Sequence, residues 1–167
     1  NMSRWYWDFT ALKERIEIGQ MPYTPVISHF FALKKSLEII EEETLENIIS
    51  RHDLNARAFR NSMQAIGLKL FVKDCSYRSN AVTAIVLPKD IEYKQLAKVL
   101  KNEHNVIIGG GLRHLSGKIF RVGHLGMLHS PEVITIANAI EMSLYKLGYE
   151  IELGTAASSA SKAYLDK

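Results

Sequence analysis

Residues 109–126 read "GGGLRHLSGKIFRVGHLG", a run in which six glycines stand among five basic or imidazole side chains. Glycine beside positive charge points to an anion, and the identity of the loop decides the fold around it. A phosphate-cradling G-x-x-x-x-G-K-[ST] loop would open a helix. Counting back from Gly117-Lys118 places the first required glycine at Leu112, and the magnesium-holding Ser or Thr falls on Ile119. The following "KIFRVG" alternates as a strand does, not as a helix. The nucleotide loop is excluded, and the glycines lie between two strands, "NVIIGGG" and "KIFRVGHL".

Outward from this pair, "LKLFVKD" alternates, with Leu68, Leu70 and Val72 on one face, and "AVTAIVLP" is a second strand closed by Pro88. "IEYKQLAKVLKNE" sets Ile91, Leu96, Val99 and Leu100 on one side of a helix, and "SPEVITIANAIEMSLYKLG" is an amphipathic helix capped by Ser130 with Pro131 at its first position. The order β-β-α-β-β-α predicts an α+β fold, a mainly antiparallel sheet of about four strands with helices on one face. A long helical region, residues 26–67, precedes it. Ile27, Phe30, Phe31, Leu33, Leu37 and Ile40 form its first apolar stripe, and Leu45, Ile48, Ile49, Leu54, Ala58, Met63 and Ile66 its second. Thr44 in "EEETLEN" marks the break between them, and Gly67 closes the second helix. The expected division is an aromatic arm and linker over 1–25, a compact domain over 26–153 and a small, polar, mobile tail over 154–167. In the arm, "SRWYWDF" packs four aromatics into seven residues. These rings either cover the core or dock on protein absent from this chain. Pro22 and Pro25 hold Tyr23-Thr24 extended.

With 167 residues, 47% hydrophobic and 23% charged, the chain has the composition of an ordinary globular protein. A net charge of +3 and a pI near 8.9 suit small anionic substrates and fall short of the dense basic stripe of a nucleic-acid binder. The single Cys75 excludes an internal disulfide and a cysteine-built zinc site. No apolar run spans a membrane and no signal peptide opens the chain, so a cytoplasmic protein with no membrane partner is expected.

Alternation along "KIFRVG" puts Ile119, Arg121 and Gly123 on one face and Lys118, Phe120 and Val122 on the other. A guanidinium on an apolar strand needs a partner, and a planar carboxylate is the natural one. That carboxylate belongs either to an acidic side chain of this protein or to a ligand, with Gly123 leaving room for its approach. The six histidines form no H-x-x-x-H or H-E-x-x-H pair, so no metal site is expected. His124 either lines a pocket or is a satisfied structural imidazole. Arg51, Arg57 and Arg60 read as a solvated helix face. No Ser-His-Asp or Cys-His set has local support.

The segments "PYTPVISHFFALKKSLEIIEEETLENIISRH", "AIGLKLFVKD", "VTAIVLP" and "GGGLRHLSGKIFRVGHLG", in that order, resemble the C-terminal part of class V, fold-type I aminotransferases. The likeness is greatest to the alanine–glyoxylate, serine–glyoxylate and serine–pyruvate group, and it runs from about Trp5 to the tail. The resemblance implies a pyridoxal-phosphate enzyme moving an amino group from a small amino acid, serine or alanine, to a 2-oxo acid, glyoxylate or pyruvate. It implies a homodimer, with no nucleic-acid partner. It also implies that the lysine holding the cofactor lies on a large domain before this region, so this chain carries no catalytic residue and should be inactive alone. By resemblance Arg121 grips the substrate α-carboxylate, with the glycine loop letting the substrate come close, and Tyr23 and Thr24 offer hydroxyls to the cofactor phosphate of the other subunit. Many relatives have glycine in place of Thr44. Two alternatives remain at this stage: a same-fold enzyme of other specificity (a lyase or a 2-aminoethylphosphonate transaminase), or a non-catalytic module that binds small carboxylates.

Overall fold

A computed structural model describes residues 4–166. The chain divides into two compact units, Asn1–Leu45 and Glu46–Lys167.

The first unit holds a 3-10 turn at Trp5–Trp7 and two helices, α1 (Phe9–Glu17) and α2 (Ile27–Glu43). Asp8 caps α1, its carboxylate accepting from the amides of Thr10 and Ala11 at 3.0 and 3.4 Å. Neither helix buries a residue. The apolar stripe of α2 is exposed throughout, and Trp5, Tyr6, Trp7 and Phe9 are each more than 70% exposed. The aromatic arm thus forms no buried cluster within its own unit. Helix α2 ends at Thr44, where φ is 69° and ψ 148°. This left-handed backbone suits glycine and strains a β-branched residue.

The second unit carries the core. Helix α3 (Leu45–Ala65) buries Asn55, Ala56, Ala58, Phe59, Ser62 and Met63 in its second half only. It stops in a Schellman turn. Gly67 stands at φ +82°, its amide reaches the Gln64 carbonyl at 3.0 Å, and the Leu68 amide reaches Met63 at 2.9 Å. Three strands follow in an antiparallel sheet of order β1-β3-β2: β1 (Val82–Val86), β2 (Gly109–Gly110) and β3 (Ile119–Gly123). The expected fourth strand, "LKLFVKD", reduces to a single antiparallel bridge, Leu70 to Ile85. Its alternation was a true signal of pairing. The Val86 amide reaches Lys69 at 2.8 Å and the Phe71 amide reaches Ala84 at 2.9 Å, but Asp74 and the turn at Cys75–Tyr77 end the ladder early.

Strand register puts Ile85 opposite Phe120 and Thr83 opposite Val122, so these four side chains share one face. They join a core with Phe59 and Met63 of α3, Leu96 and Leu100 of α4 (Tyr93–His104), and Val133, Ala137, Ile140 and Leu144 of α5 (Ser130–Lys146). Helix α5 begins at Ser130, but its cap is His129, whose amide donates to the Glu132 carboxylate at 3.0 Å. The C-terminal segment is not a mobile tail. Residues 155–165 form helix α6 (Thr155–Leu165), with Ala156, Ala160 and Ala163 buried. Small residues read from composition as a mobile tail are here the close-packing stripe of a helix.

Candidate functional site

Arg121 sits where alternation placed it, on the sheet face opposite Phe120 and Val122. Its register partners are Ala84 and Gly109. The guanidinium lies across Gly109, where a Cβ would stand 3.4 Å from a terminal nitrogen, an ordinary van der Waals contact. Nε donates to the Gly110 carbonyl at 2.9 Å. Among the described residues no acidic side chain lies within salt-bridge distance of Arg121. The guanidinium is half-buried and its charge is met by a backbone dipole alone.

Two of the three glycines are required by the protein's own packing. A Cβ on Gly110 would come within 3.0 Å of the Tyr93 ring, and one on Gly111 would strike the Leu115 carbonyl at 2.0 Å. The open place is Gly123, where a Cβ would meet nothing within 4 Å. It follows Arg121 on the same strand face.

His124, next to this glycine, is the satisfied structural imidazole. It is 2% exposed, and Nδ1 lies 3.0 Å from the Asn80 carbonyl. Since a carbonyl only accepts, Nδ1 carries the proton. Nε2 therefore accepts from the Thr83 hydroxyl at 2.8 Å. Burial is the main reason its pKa falls from 6.5 to about 4. Between those values the unfolded chain binds a proton that the folded chain refuses, so stability falls as pH drops through this window. The loss should reach on the order of 3 kcal/mol. The His124 ring C–H resonances should hold their neutral positions down to about pH 5 and then shift with a midpoint near 4. A midpoint near 6.5 would show the imidazole to be free.

The loop after His124 is tied to α3 by Arg51, one of the arginines expected to be solvated, and by His52 and Asn55. Arg51 donates to the carbonyls of Gly126 and Leu128, and His52 Nε2 accepts from the Gly126 amide at 3.1 Å. Asn55 donates to Leu128 at 2.8 Å and accepts from the Tyr164 hydroxyl at 2.8 Å. Arg60 reaches the Ser79 carbonyl and the Asn80 side chain. Only Arg57 of the three arginines keeps the exposed role. Their partners lie far along the chain, where helical spacing carries no information.

Tyr23 and Thr24 lie in the other compact unit. The Tyr23 hydroxyl donates to the Trp5 carbonyl at 2.9 Å, and its ring stacks on Tyr6 at 4.4 Å. Thr24 is exposed. Both line a cleft of about 390 Å³ with Pro22, Pro25, Phe30 and Leu33. Of the two hydroxyls, Thr24's is the one available to an outside acceptor. No three of His, Cys, Asp and Glu come together as a metal cluster among the described residues. No helix among them is long and apolar enough to cross a membrane.

Comparison with known proteins adds to this geometry. No protein-family model matches the chain. An uncharacterized aminotransferase of Methanocaldococcus jannaschii is 38% identical over 148 residues, which make up 88% of this chain and 38% of that protein. The serine–glyoxylate aminotransferase of Methylorubrum extorquens is 32% identical over 160 residues, or 96% of this chain and 40% of that protein. Ureidoglycine–glyoxylate aminotransferase from Bacillus subtilis superposes with a TM-score of 0.90 at 26% identity, over 96% of this chain and 42% of its own. The fold is that of an aminotransferase C-terminal domain. More narrowly, the chain is homologous to the serine–glyoxylate and alanine–glyoxylate aminotransferases of class V, fold type I. It spans about two fifths of the length of the relatives it matches.

Proposed function

We propose that this chain is the carboxylate-gripping domain of a pyridoxal-phosphate aminotransferase that moves an amino group from serine or alanine to glyoxylate or pyruvate. The observation that carries the reading is Arg121. It is a half-buried guanidinium on a strand, held by one carbonyl through Nε and lacking a carboxylate from the described residues. Such a charge is costly unless a partner arrives, and the α-carboxylate shared by amino donor and oxo-acid acceptor is a planar anion of matching geometry. One arginine then serves both half-reactions, since both substrates present the same group.

Pyridoxal phosphate, when bound, supplies the ring that carries the amino group between the two acids. The residues of this chain fit it in one respect. Thr24 presents a hydroxyl toward solvent from a segment stiffened by two prolines, and it would donate to the phosphate of a cofactor held by a second copy. Tyr23, its hydroxyl bonded to Trp5 and its ring stacked on Tyr6, would act by shaping the segment. The covalent hold on the cofactor would come from a lysine elsewhere in the parent protein.

The test is direct. The complete parent protein, supplied with pyridoxal phosphate, should convert serine or alanine with glyoxylate or pyruvate. This chain alone should show no transamination and no cofactor fixed to protein by borohydride. Absence of turnover by the parent with every donor–acceptor pair would defeat the proposal, and borohydride-fixed cofactor on this chain would defeat its division of labour.

A further inference from the structure

Tyr93 is the first residue of α4, and nothing in its sequence context marks it. Its ring lies over Gly110, where a Cβ would come within 3.0 Å of two ring carbons. Its hydroxyl donates to the Ile108 carbonyl at 3.0 Å. The tyrosine thus touches the chain at Ile108, just before the short strand β2, and at Gly110 within it, and Gly110 gives its carbonyl to Arg121 Nε at 2.9 Å. We infer that Tyr93 is a positioning residue for Arg121: through Ile108 and Gly110 it sets the carbonyl that aims the guanidinium at the substrate carboxylate. This rests on the carboxylate reading of Arg121 proposed above.

The geometry also fixes which edge of the arginine is presented. Nε is committed to Gly110, so a side-on grip through Nε and one terminal nitrogen is closed. The carboxylate is taken end-on, by the two terminal nitrogens. A two-residue strand such as β2 has little pairing of its own to hold it. Its place depends on β3 on one side and on Tyr93 from above, and the tilt of the guanidinium is set by a contact outside the sheet. Loss of the ring should free the carbonyl, let the arginine sample other rotamers and weaken substrate binding more than turnover.

Two measurements test this, one of them independent of catalysis. In the nitrogen-15-labelled chain, the Arg121 Nε–H signal, assigned by its loss in Arg121→Lys, should be protected from exchange with water. Tyr93→Leu should speed that exchange about tenfold or more, and Tyr93→Phe, which keeps the ring and loses only the bond to Ile108, about twofold or more. In the complete parent enzyme Tyr93→Leu should raise KM for the amino donor roughly tenfold while kcat changes less than about threefold and the cofactor absorbance stays as it was. If Tyr93→Leu fails to fold, Tyr93→Phe decides. Undisturbed protection of Nε–H in the folded variant overturns the positioning role. An unchanged donor KM in Arg121→Lys overturns instead the carboxylate reading beneath it, so the two failures are told apart.

Discussion

Arg121→Ala in the complete parent enzyme is expected to lower kcat/KM for the amino donor by roughly ten- to a hundredfold or more, the loss of a bidentate charge-assisted pair of about 1.5–3 kcal/mol. Arg121→Lys should recover only part, because an ammonium is a point charge and cannot reproduce the planar fork. The lysine would also leave the Gly110 carbonyl without the Nε donor it has in the present structure. Absorbance of the bound cofactor should not change, since this arginine is assigned to substrate and not to phosphate. The fold should tolerate the alanine: Arg121 faces Gly109 and Ala84 across the sheet, away from Phe120 and Val122, and supports no ion pair among the described residues. If both variants lose cofactor or unfold, the guanidinium is structural and the carboxylate is held elsewhere. Retained kcat/KM in the alanine variant would have the same consequence without ambiguity about folding.

The contrast between Arg121 and its neighbours shows which parts of the site were legible in the sequence. Alternation along "KIFRVG" separates the two faces of one strand, and a strand face is a local property. It therefore placed Arg121 on the face opposite Phe120 and Val122 without any tertiary knowledge. The glycines beside it were legible as glycines but not as what they accommodate. Gly110 and Gly111 make room for a residue of the same chain, respectively Tyr93 and Leu115, and neither pairing has a sequence period. The same limit hid the ties of Arg51, His52 and Asn55 to the loop at Gly126 and Leu128, which lie more than seventy residues away.

At the level of elements, periodic signals survived and terminal ones did not. The order β-α-β-β-α after the first expected strand, the break at Thr44 and the stop at Gly67 are present, because each depends on a stripe or a backbone preference within a few residues. "LKLFVKD" alternates as a strand should, but strand length is set by the partner, and β1 offers it one bridge. The tail failed for a different reason. Alanine and serine in "TAASSASKAY" are neutral between a mobile segment and a tightly packed helix, and the choice is made by a residue outside the segment.

That residue is Glu141, and it carries the last expected result. Glu141 lies in α5 and is fully buried. Its two carboxylate oxygens accept from the amides of Gly154 and Ala156, both at 2.8 Å. These amides stand at the start of α6, where the first turn of any helix leaves donors without intrahelical partners. A carboxylate from a neighbouring helix thus supplies the cap that Gly154 cannot, and the positive end of the helix dipole adds to the attraction. The only warning in the sequence is an acid set among Ala137, Ile140 and Leu144. Glu141→Ala would leave two buried amides unpaired at about 1–3 kcal/mol each, less what water or relaxation recovers. A total near 3 kcal/mol is expected, or a fall in Tm of roughly 6–12 °C for a chain of this size. Glu141→Gln should restore little, since its amide oxygen can serve one donor while its NH2 group confronts the other. The comparison variant is Glu103→Ala. Glu103 is exposed and bonds Lys146 at 2.7 Å, so its removal should cost no more than about 1 kcal/mol. Hydrogen exchange locates the damage: in Glu141→Ala the amides of residues 154–165 should lose protection before those of α3 and α4. Equal melting temperatures for the Glu141 and Glu103 variants would show that α6 is held by its alanine stripe alone.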